Sequence, residues 1–257
     1  ALARMEGLTL QHYDEGLRWA GHLRALVERL GDPTHEAEYH SVLGFMHGRA
    51  GQYEEALAEH QRALRLFQEI HGDQGPEVGR ARTSVGGALI ALGDHERAQA
   101  HLEQGLAELR QALGEKHPLV GTRLNTLGHL QRVRGDYDAA QASLERALEI
   151  ERLVYGHEHP RVATSMSSLA IALRSLGRLD EAEEVLRESL EILEATTAPD
   201  DLGPSYPRTQ LAFVLIETGR ADEAVEPARL AWEKRRGTTL YPLVAESAFA
   251  YAKALVE

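Results

Sequence analysis

Cysteine is absent from the 257-residue chain. Its absence excludes disulfides, cysteine-ligated zinc and thiol catalysis, and it leads us to expect a protein of the reducing cytoplasm. Aromatic residues make up only 5% of the sequence, and the longest stretch without charged or strongly polar side chains runs from 85 to 93. A membrane-spanning helix needs roughly 18 such residues. The sequence therefore predicts no membrane insertion.

Basic residues are in the minority. The chain has 28 lysines and arginines against 40 aspartates and glutamates, which gives a net charge of −12. Proteins that bind nucleic acids obtain most of their affinity by neutralising phosphates, so we predict no nucleic-acid partner, although a local basic groove is compatible with this balance. The chain begins with alanine and has no signal peptide. We therefore expect it to be a fragment of a larger protein.

A strict internal repeat organises the chain. Glycine recurs every 42 residues, at Gly51, Gly93, Gly135, Gly177 and Gly219. Alanine recurs at the same interval, at Ala56, Ala98, Ala140, Ala182 and Ala224. A second series of glycines, each followed by a proline four residues later, marks the far end of each unit at Gly72, Gly114 and Gly156. A period of this length indicates an array of repeated structural units.

Each unit is predicted to form two helices. Proline is favoured at the first position of a helix, because its missing N–H has no partner there. In the unit 118–156, Val120, Leu124 and Leu127 recur at helical spacing. Gly135 is expected to end the first helix, and Asp136 to cap the second. No alternating β-branched run interrupts the pattern, so no sheet is predicted.

These repeated positions resemble the tetratricopeptide repeat, and the 42-residue length resembles its kinesin-light-chain subtype. The matching segments are GEKHPLVGTRLNTLG (114–128), GHEHPRVATSMSSLA (156–170), GDYDAAQASLERALEI (135–150) and GRLDEAEEVLRESLEI (177–192). The resemblance covers 31–236. It implies an all-α fold, a right-handed superhelical solenoid of antiparallel helix pairs. Long multidomain bacterial proteins often end in such arrays, so the resemblance also implies a bacterial parent protein of that kind.

The whole chain, 1–257, is predicted to be one array. Its five full repeats are 35–72, 76–114, 118–156, 160–198 and 204–237. Residues 1–30 are interpreted as a degenerate N-terminal repeat, and 241–257 as a C-terminal helix without a partner. Neither end has the polar outer face of a capping repeat, so we expect the ends to stack on another domain or another copy. Pro227 is expected to bend or loosen the second helix of the fifth repeat.

The sequence contains no catalytic pattern. It has no GxSxG, HExxH or GK[ST] motif, so we predict that the protein is not an enzyme and holds no metal or other cofactor. His117 and His159 precede prolines and are expected to cap their helices locally. A metal site formed by His35, His40 and His47 is the weaker alternative for the other histidines.

The binding surface is expected on the first helices of the repeats, which line the inner groove in arrays of this kind. Helical spacing places one small hydrogen-bonding residue per repeat on that face. These residues are Ser41, Thr83, Asn125, Ser167 and Thr209. We interpret them as a ladder for the backbone of an extended peptide. The alternative is that these side chains bond their own backbone or neighbouring helices.

Arginines and apolar residues accompany the ladder. Arg132 and Arg174 are predicted side by side on adjacent repeats with His129 close to them, and Arg49 and Arg80 flank the same surface. Arginine binds carboxylate or phosphate in a bidentate manner. The alternative is that these arginines pair with acidic residues of neighbouring helices. The residues predicted to form apolar pockets between the polar rows are Phe45, Ile171 and Phe213.

Together these patterns predict a non-catalytic protein-interaction scaffold. Its partner is predicted to be a protein or peptide, of which an extended, acidic or phosphorylated segment binds in the concave groove. One alternative is an assembly or intramolecular docking element that acts through its ends, with possible self-association, for example the regulatory region of a bacterial Ser/Thr kinase. A further alternative is a peptide-signal sensor.

Overall fold

The computed structural model describes residues 13–198, 200–236 and 241–256, with the side chains of 13–19, 28 and 241–243 left out. Within these ranges the chain forms twelve α-helices and no strand. The helices are α1 (Tyr13–Leu30), α2 (Pro33–Arg49), α3 (Tyr53–His71), α4 (Pro76–Ala91), α5 (His95–Leu113), α6 (Pro118–Val133), α7 (Tyr137–Tyr155), α8 (Pro160–Ser175), α9 (Leu179–Thr196), α10 (Ser205–Glu217), α11 (Ala221–Arg235) and α12 (Tyr241–Val256). The predicted all-α helical repeat fold is confirmed.

The chain forms two compact units, with the division between Leu130 and Gln131. In the first unit, helices that follow one another along the chain from α1 to α5 pack together. In the second unit the same holds from α7 to α12, and α12 also packs against α10. Short turns between consecutive helices make each such pair antiparallel.

Turn glycines set the ends of the first helices. The five glycines of the 42-residue series have φ angles between 75° and 85°, in the left-handed region that residues with a Cβ rarely adopt. After Gly93 and Gly135, the N–H groups of Asp94 and Asp136 donate back to the carbonyls of Leu89 and Gln131, at 3.0 and 2.8 Å. Bonds of this kind satisfy carbonyls that a helix end would otherwise leave unpaired.

The histidines before the prolines cap their helices, as predicted. The Nδ1 atom of His159 accepts from the N–H of Arg161 at 3.1 Å, and that of His117 accepts from the N–H of Leu119 at 3.2 Å. The predicted cap at Asp136 differs. Asp136 occupies the capping position of α7 without a side-chain hydrogen bond to the helix, and its carboxylate lies 3.6 Å from the guanidinium of Arg134.

Small residues let the helices approach closely. The five alanines of the 42-residue series are almost fully buried. At the crossing of α4 and α5 two glycines face each other. A Cβ added to Gly79 would lie 2.9 Å from the carbonyl oxygen of Gly105, and one added to Gly105 would lie 2.7 Å from that of Gly79. No larger side chain fits between these helices without moving them apart.

The two chain ends are partly described. Residues 1–12 of the predicted N-terminal repeat lie outside the described residues, and the remainder of that repeat forms α1. At the other end, α12 packs on α10 and α11, and the ring of Tyr251 stacks on Trp232 at 5.8 Å. Helix α11 continues through Pro227, and three fully buried alanines, Ala224, Ala228 and Ala231, anchor it.

Candidate functional site

A groove in the first unit gathers the predicted site residues of the first two repeats. It has a volume of about 480 Å³ and is lined by α2, α4 and α6, together with residues of α3. We call it the first groove. All five residues predicted from these repeats line it, namely Ser41, Phe45, Arg49, Arg80 and Thr83. Its floor consists of small residues, among them Gly44, Gly48, Gly87, Ala88 and Ala91.

The first groove is basic. Arg49, Arg80 and Arg123 line it, and Glu38 is the one carboxylate among its described lining residues. Arg80 forms an ion pair with Glu38 and lies over the ring of Phe67, with 5.7 Å between the guanidinium carbon and the ring centroid. Arginines therefore outnumber acids in this groove, whereas acids outnumber basic residues in the chain.

His60 of α3 contributes an uncharged imidazole to the first groove. It packs directly on Gly44, where an added Cβ would lie 2.5 Å from the ring Nδ1. Burial, followed by the charge of Arg123, lowers the pKa of His60 to about 4, while Glu59 acts in the opposite direction. The ring is thus neutral near pH 7. Sequence analysis missed His60 and Arg123, and the small residue at Gly44 was the available signal for a close neighbour.

The hydroxyls of the predicted ladder form hydrogen bonds within the protein. Ser41 donates to the carbonyl of Ala37 at 3.1 Å, and Thr83 donates to that of Arg80 at 2.8 Å. Ser167 donates to the carbonyl of Ala163 at 3.1 Å and lies 2.8 Å from the hydroxyl of Ser189. The alternative interpretation, bonding within the protein, therefore describes these side chains.

The last hydroxyl of the ladder, Thr209, donates to the carbonyl of Ser205 at 2.8 Å. Thr83, Ser167 and Thr209 are all buried. We therefore leave Ser167 and Thr209 out of the proposed binding surface. Thr83 lines the first groove, but its hydroxyl is bonded to its own helix. The period of the helix gave the direction of each side chain, but it did not show that the next helix covers it.

A second cavity lies within the second unit. It has a volume of about 370 Å³ and is lined by the end of α6 and by α8, α10 and α12. We call it the second pocket. Of the predicted residues, it brings together Arg132, Ile171, Arg174 and Phe213. It adds residues that were not predicted, among them Tyr206, Gln210, Glu217, Glu246, Phe249 and Lys253.

Arg174 is held by its own protein. Its Nε donates to both carboxylate oxygens of Glu217, at 3.0 and 3.2 Å, and its Nη1 donates to Gln210 Oε1 at 2.9 Å. The guanidinium also lies 4.9 Å from the ring centroid of Phe213. In the structure Arg174 therefore pairs within the protein, as the alternative interpretation describes. Arg132 differs, since within the described part of the chain its side chain lines the same pocket without an ion pair or hydrogen bond.

Tyr206 is protonated at neutral pH. Burial raises the pKa of its hydroxyl, and the charge of Glu246 raises it further, while Arg132 acts in the opposite direction. Gln210 links the two sides of the second pocket, because its Nε2 donates to Glu246 at 2.8 Å while its oxygen accepts from Arg174. Several polar side chains of the second pocket are thus hydrogen-bonded to one another, beside the aromatic side chains of Phe213 and Phe249.

The remaining predicted residues lie apart from these two cavities. Asn125 and His129 stand on α6, half-buried and exposed, and neither lines the first groove or the second pocket. The histidines of the alternative metal site bond separate partners, since His40 pairs with Glu59 and His47 with Gln52. In the described residues no three histidine, aspartate or glutamate side chains are arranged to hold a metal ion.

An all-helical repeat with a groove on its first helices defines a class of protein-interaction scaffold. Sequence comparison identifies the family. Models of the tetratricopeptide repeat match residues 36–111, 86–150, 122–195 and 205–229, which is well over half of the chain. The chain belongs to the tetratricopeptide repeat family, whose members typically serve as non-catalytic scaffolds for protein–protein interaction. No curated protein matches it at a significant level.

Solved structures share the fold. BtubC (BKLC) from P. vanneervenii is 20% identical with a TM-score of 0.70, covering 88% of this chain and 90% of that one. A putative kinesin light chain from Podosopora anserina with nearly identical TPR-like repeats is 20% identical with a TM-score of 0.63, covering 88% and 99%. The apo quorum sensor NprR from B. thuringiensis is 14% identical with a TM-score of 0.66, covering 93% and 66%. The resemblance to kinesin-light-chain repeats is confirmed.

A helix that crosses a bilayer must be both long and apolar. Within the described ranges, no helix combines the length and the apolar character needed to cross a bilayer.

Proposed function

We propose that the protein binds an acidic or phosphorylated segment of a partner protein in the first groove, and that it does so in the cytoplasm, which suits a cysteine-free chain. One observation carries the proposal. Three arginines and one glutamate line this groove in a chain whose net charge is −12. A surface that reverses the sign of the whole molecule attracts a ligand of the opposite sign.

The chemistry of the lining residues supports this ligand class. Guanidinium groups form bidentate hydrogen bonds to carboxylates and phosphates. Arg80 already pairs with Glu38, but both side chains are partly exposed, and ion pairs of that kind contribute only about 0–1 kcal/mol. A ligand carboxylate can therefore replace Glu38 at little cost. Phe45 and Tyr53 add apolar surface for a neighbouring ligand side chain.

The second pocket contributes less to this proposal. Arg174 is already neutralised by Glu217, so Arg132 is the cation there that we retain as a candidate contact. Its place beside Phe213 and Phe249 suits an acidic residue next to an apolar one. We treat the second pocket as a subsidiary contact and place the main site in the first groove.

Peptide binding tests the proposal. A fluorescent glutamate-rich peptide and a lysine-rich peptide of equal length are titrated into the protein at low and moderate salt. We expect only the acidic peptide to bind, and its affinity to fall about tenfold or more in Arg49→Glu/Arg123→Glu, since each tenfold change corresponds to about 1.4 kcal/mol. The control, Arg97→Glu/Arg146→Glu, reverses two charges outside the groove and should bind as the wild type does.

Two results of the peptide titrations would contradict the proposal. If the groove variant binds the acidic peptide as tightly as the control variant does, the arginines of the first groove are structural. The same conclusion follows if the lysine-rich peptide binds as well as the acidic one, because the groove would then not select charge.

A second candidate function, self-association, is supported by α12. Its side chains Phe249, Leu255 and Val256 are 61, 59 and 86% exposed, and large exposed apolar surfaces commonly mark contact surfaces. Sedimentation over a range of protein concentrations tests this. Oligomers that form at high concentration and disappear in Leu255→Glu/Val256→Glu would support it, and a monomer throughout would exclude it.

A further inference from the structure

The described lining of the first groove lacks the side-chain amides that pair best with an extended backbone. A peptide that enters a groove in extended form loses water from its N–H and C=O groups, and each group left unpaired costs free energy. Asparagine and glutamine side chains can satisfy both groups at once, yet neither residue type is among the described residues that line this groove.

The hydroxyls along the first groove have already donated their protons. Ser84 donates to the carbonyl of Arg80 at 3.1 Å, and Thr126 donates to that of Thr122 at 3.3 Å. Ser41 and Thr83 do the same within α2 and α4, as described above. A peptide carbonyl lying along this row would therefore meet side chains that have no further proton to give.

An α-helix avoids this cost, because its backbone groups bond one another. It needs space, being roughly 10–12 Å wide with its side chains. The floor of the first groove is open at Gly87, where an added Cβ would have no atom within 4 Å. Gly48 is similarly open, with Ala56 Cβ at 3.8 Å as its nearest neighbour.

The lining of the first groove also has the polarity that an amphipathic helix requires. Val42 and Phe45 of α2 and Tyr53 of α3 present apolar surface, while Arg49 and Arg123 provide charge. A helix whose apolar residues recur three and four positions apart, with acidic residues on both sides of that stripe, matches this arrangement.

We infer that the segment bound in the first groove is an amphipathic α-helix with acidic flanks. The inference depends on the proposed function, since it specifies the conformation of the acidic segment. It also replaces the extended conformation that the sequence suggested, because the hydroxyls on which that conformation depended already donate to backbone carbonyls of their own helices.

Three synthetic peptides test the inference. The first has a leucine stripe flanked by glutamates at helical spacing. The second carries two prolines at positions facing away from the stripe, so that its charge and apolar residues are kept but a helix cannot form. The third has the composition of the first in scrambled order. We expect the first peptide to bind at least about tenfold more tightly than the other two, and to gain helical circular dichroism on binding.

The outcomes separate the inference from the proposed function. If the helical and proline peptides bind equally, the helix inference is wrong and the acidic groove stands. If none of the three binds, both are wrong. If the scrambled peptide binds as well as the ordered one, the groove selects charge alone, and the helix inference is again wrong.

A variant of the protein provides a second test. Gly87→Leu places a side chain on the open floor of the first groove, and we expect it to lower the affinity for the helical peptide about tenfold. The matched control is Gly21→Leu on α1, where an added Cβ also has no neighbour within 4 Å. Melting temperatures of both variants verify that they fold. A folded Gly87→Leu that binds like the control would overturn the inference.

Discussion

Gly79 and Gly105 leave no room between α4 and α5 for a methyl group, whereas Gly87 on the same helix α4 faces open space. We expect Gly105→Ala to lower the free energy of unfolding by about 1–3 kcal/mol, because a side chain forced into a packed interface displaces its neighbours. Gly87→Ala should instead raise it by about 0.5–1 kcal/mol, because alanine favours the helix.

Chemical denaturation of the two variants measures both changes. Gly105→Ala and Gly87→Ala make the same chemical change in neighbouring helices, so they control for each other. Equal effects of the two substitutions would mean that the contact between Gly79 and Gly105 does not limit the packing of the first unit.

His60 makes the stability of the first unit depend on pH. Its pKa is about 4 in the folded chain and 6.5 as a free side chain. Between these values the unfolded chain binds a proton that the folded chain does not. The contribution of the neutral imidazole to the free energy of unfolding is therefore complete above pH 6.5, and it is lost as the pH falls towards 4. The charged groups facing the ring are Arg123 and Glu59.

Replacing the imidazole tests this dependence. In His60→Gln the decrease in melting temperature between pH 6.5 and pH 4 should be smaller than in the wild type, although other acids contribute to both curves. Parallel curves for the two proteins would show that His60 does not titrate differently in the folded and unfolded states.

At the scale of the helix, most boundaries could be predicted from the sequence. Prolines and glycines act through the local backbone, so Gly135 and Pro160 end and begin helices without reference to the rest of the fold. The site was harder to predict. Arg174 meets Glu217, 43 residues away, and His60 meets Gly44 from another helix. Helical periodicity gives the direction of a side chain but not the partner that lies there.

Pro227 allows a prediction about a whole helix. It lies in the interior of α11, where proline removes one backbone hydrogen bond at a cost of about 3 kcal/mol, part of which is offset by the more restricted unfolded chain. We expect Pro227→Ala to raise the free energy of unfolding by about 1–2 kcal/mol.

The control for this prediction is Pro160→Ala at the first position of α8, where no N–H bond is missing. It should change stability by less than about 0.5 kcal/mol, apart from the entropy of the unfolded chain. Thermal unfolding followed by circular dichroism measures both variants. If Pro227→Ala is no more stable than the wild type, the helix already accommodates the missing bond.

At the scale of the whole molecule, net charge and groove charge oppose each other. The chain carries −12 and repels an acidic ligand from a distance, while the arginines of the first groove attract it at contact. At 0.1 M salt, the repulsion between charges more than about 10 Å apart is largely screened. We therefore expect added salt to raise the association rate of an acidic peptide and to raise its dissociation rate as well.

Stopped-flow kinetics at increasing ionic strength separate the two rates. This pattern differs from that of a uniformly basic binding protein, whose association rate falls with salt. An association rate that decreases as salt is added would mean that, during the approach of the ligand, attraction by the groove outweighs repulsion by the net charge.

The glycines with left-handed backbone also bear on how such a chain changes in evolution. Those of the 42-residue series lie in the turn between the two helices of each repeat, and all five have the same backbone conformation. An in-frame duplication of 42 codons beginning at one of these glycines would therefore insert a helix pair. On both sides this pair would pack against helices of the same kind as those that flank the original pair. Recombination between repeats can in this way lengthen or shorten the protein in whole steps, without the many compensating substitutions that an insertion inside a helix would demand.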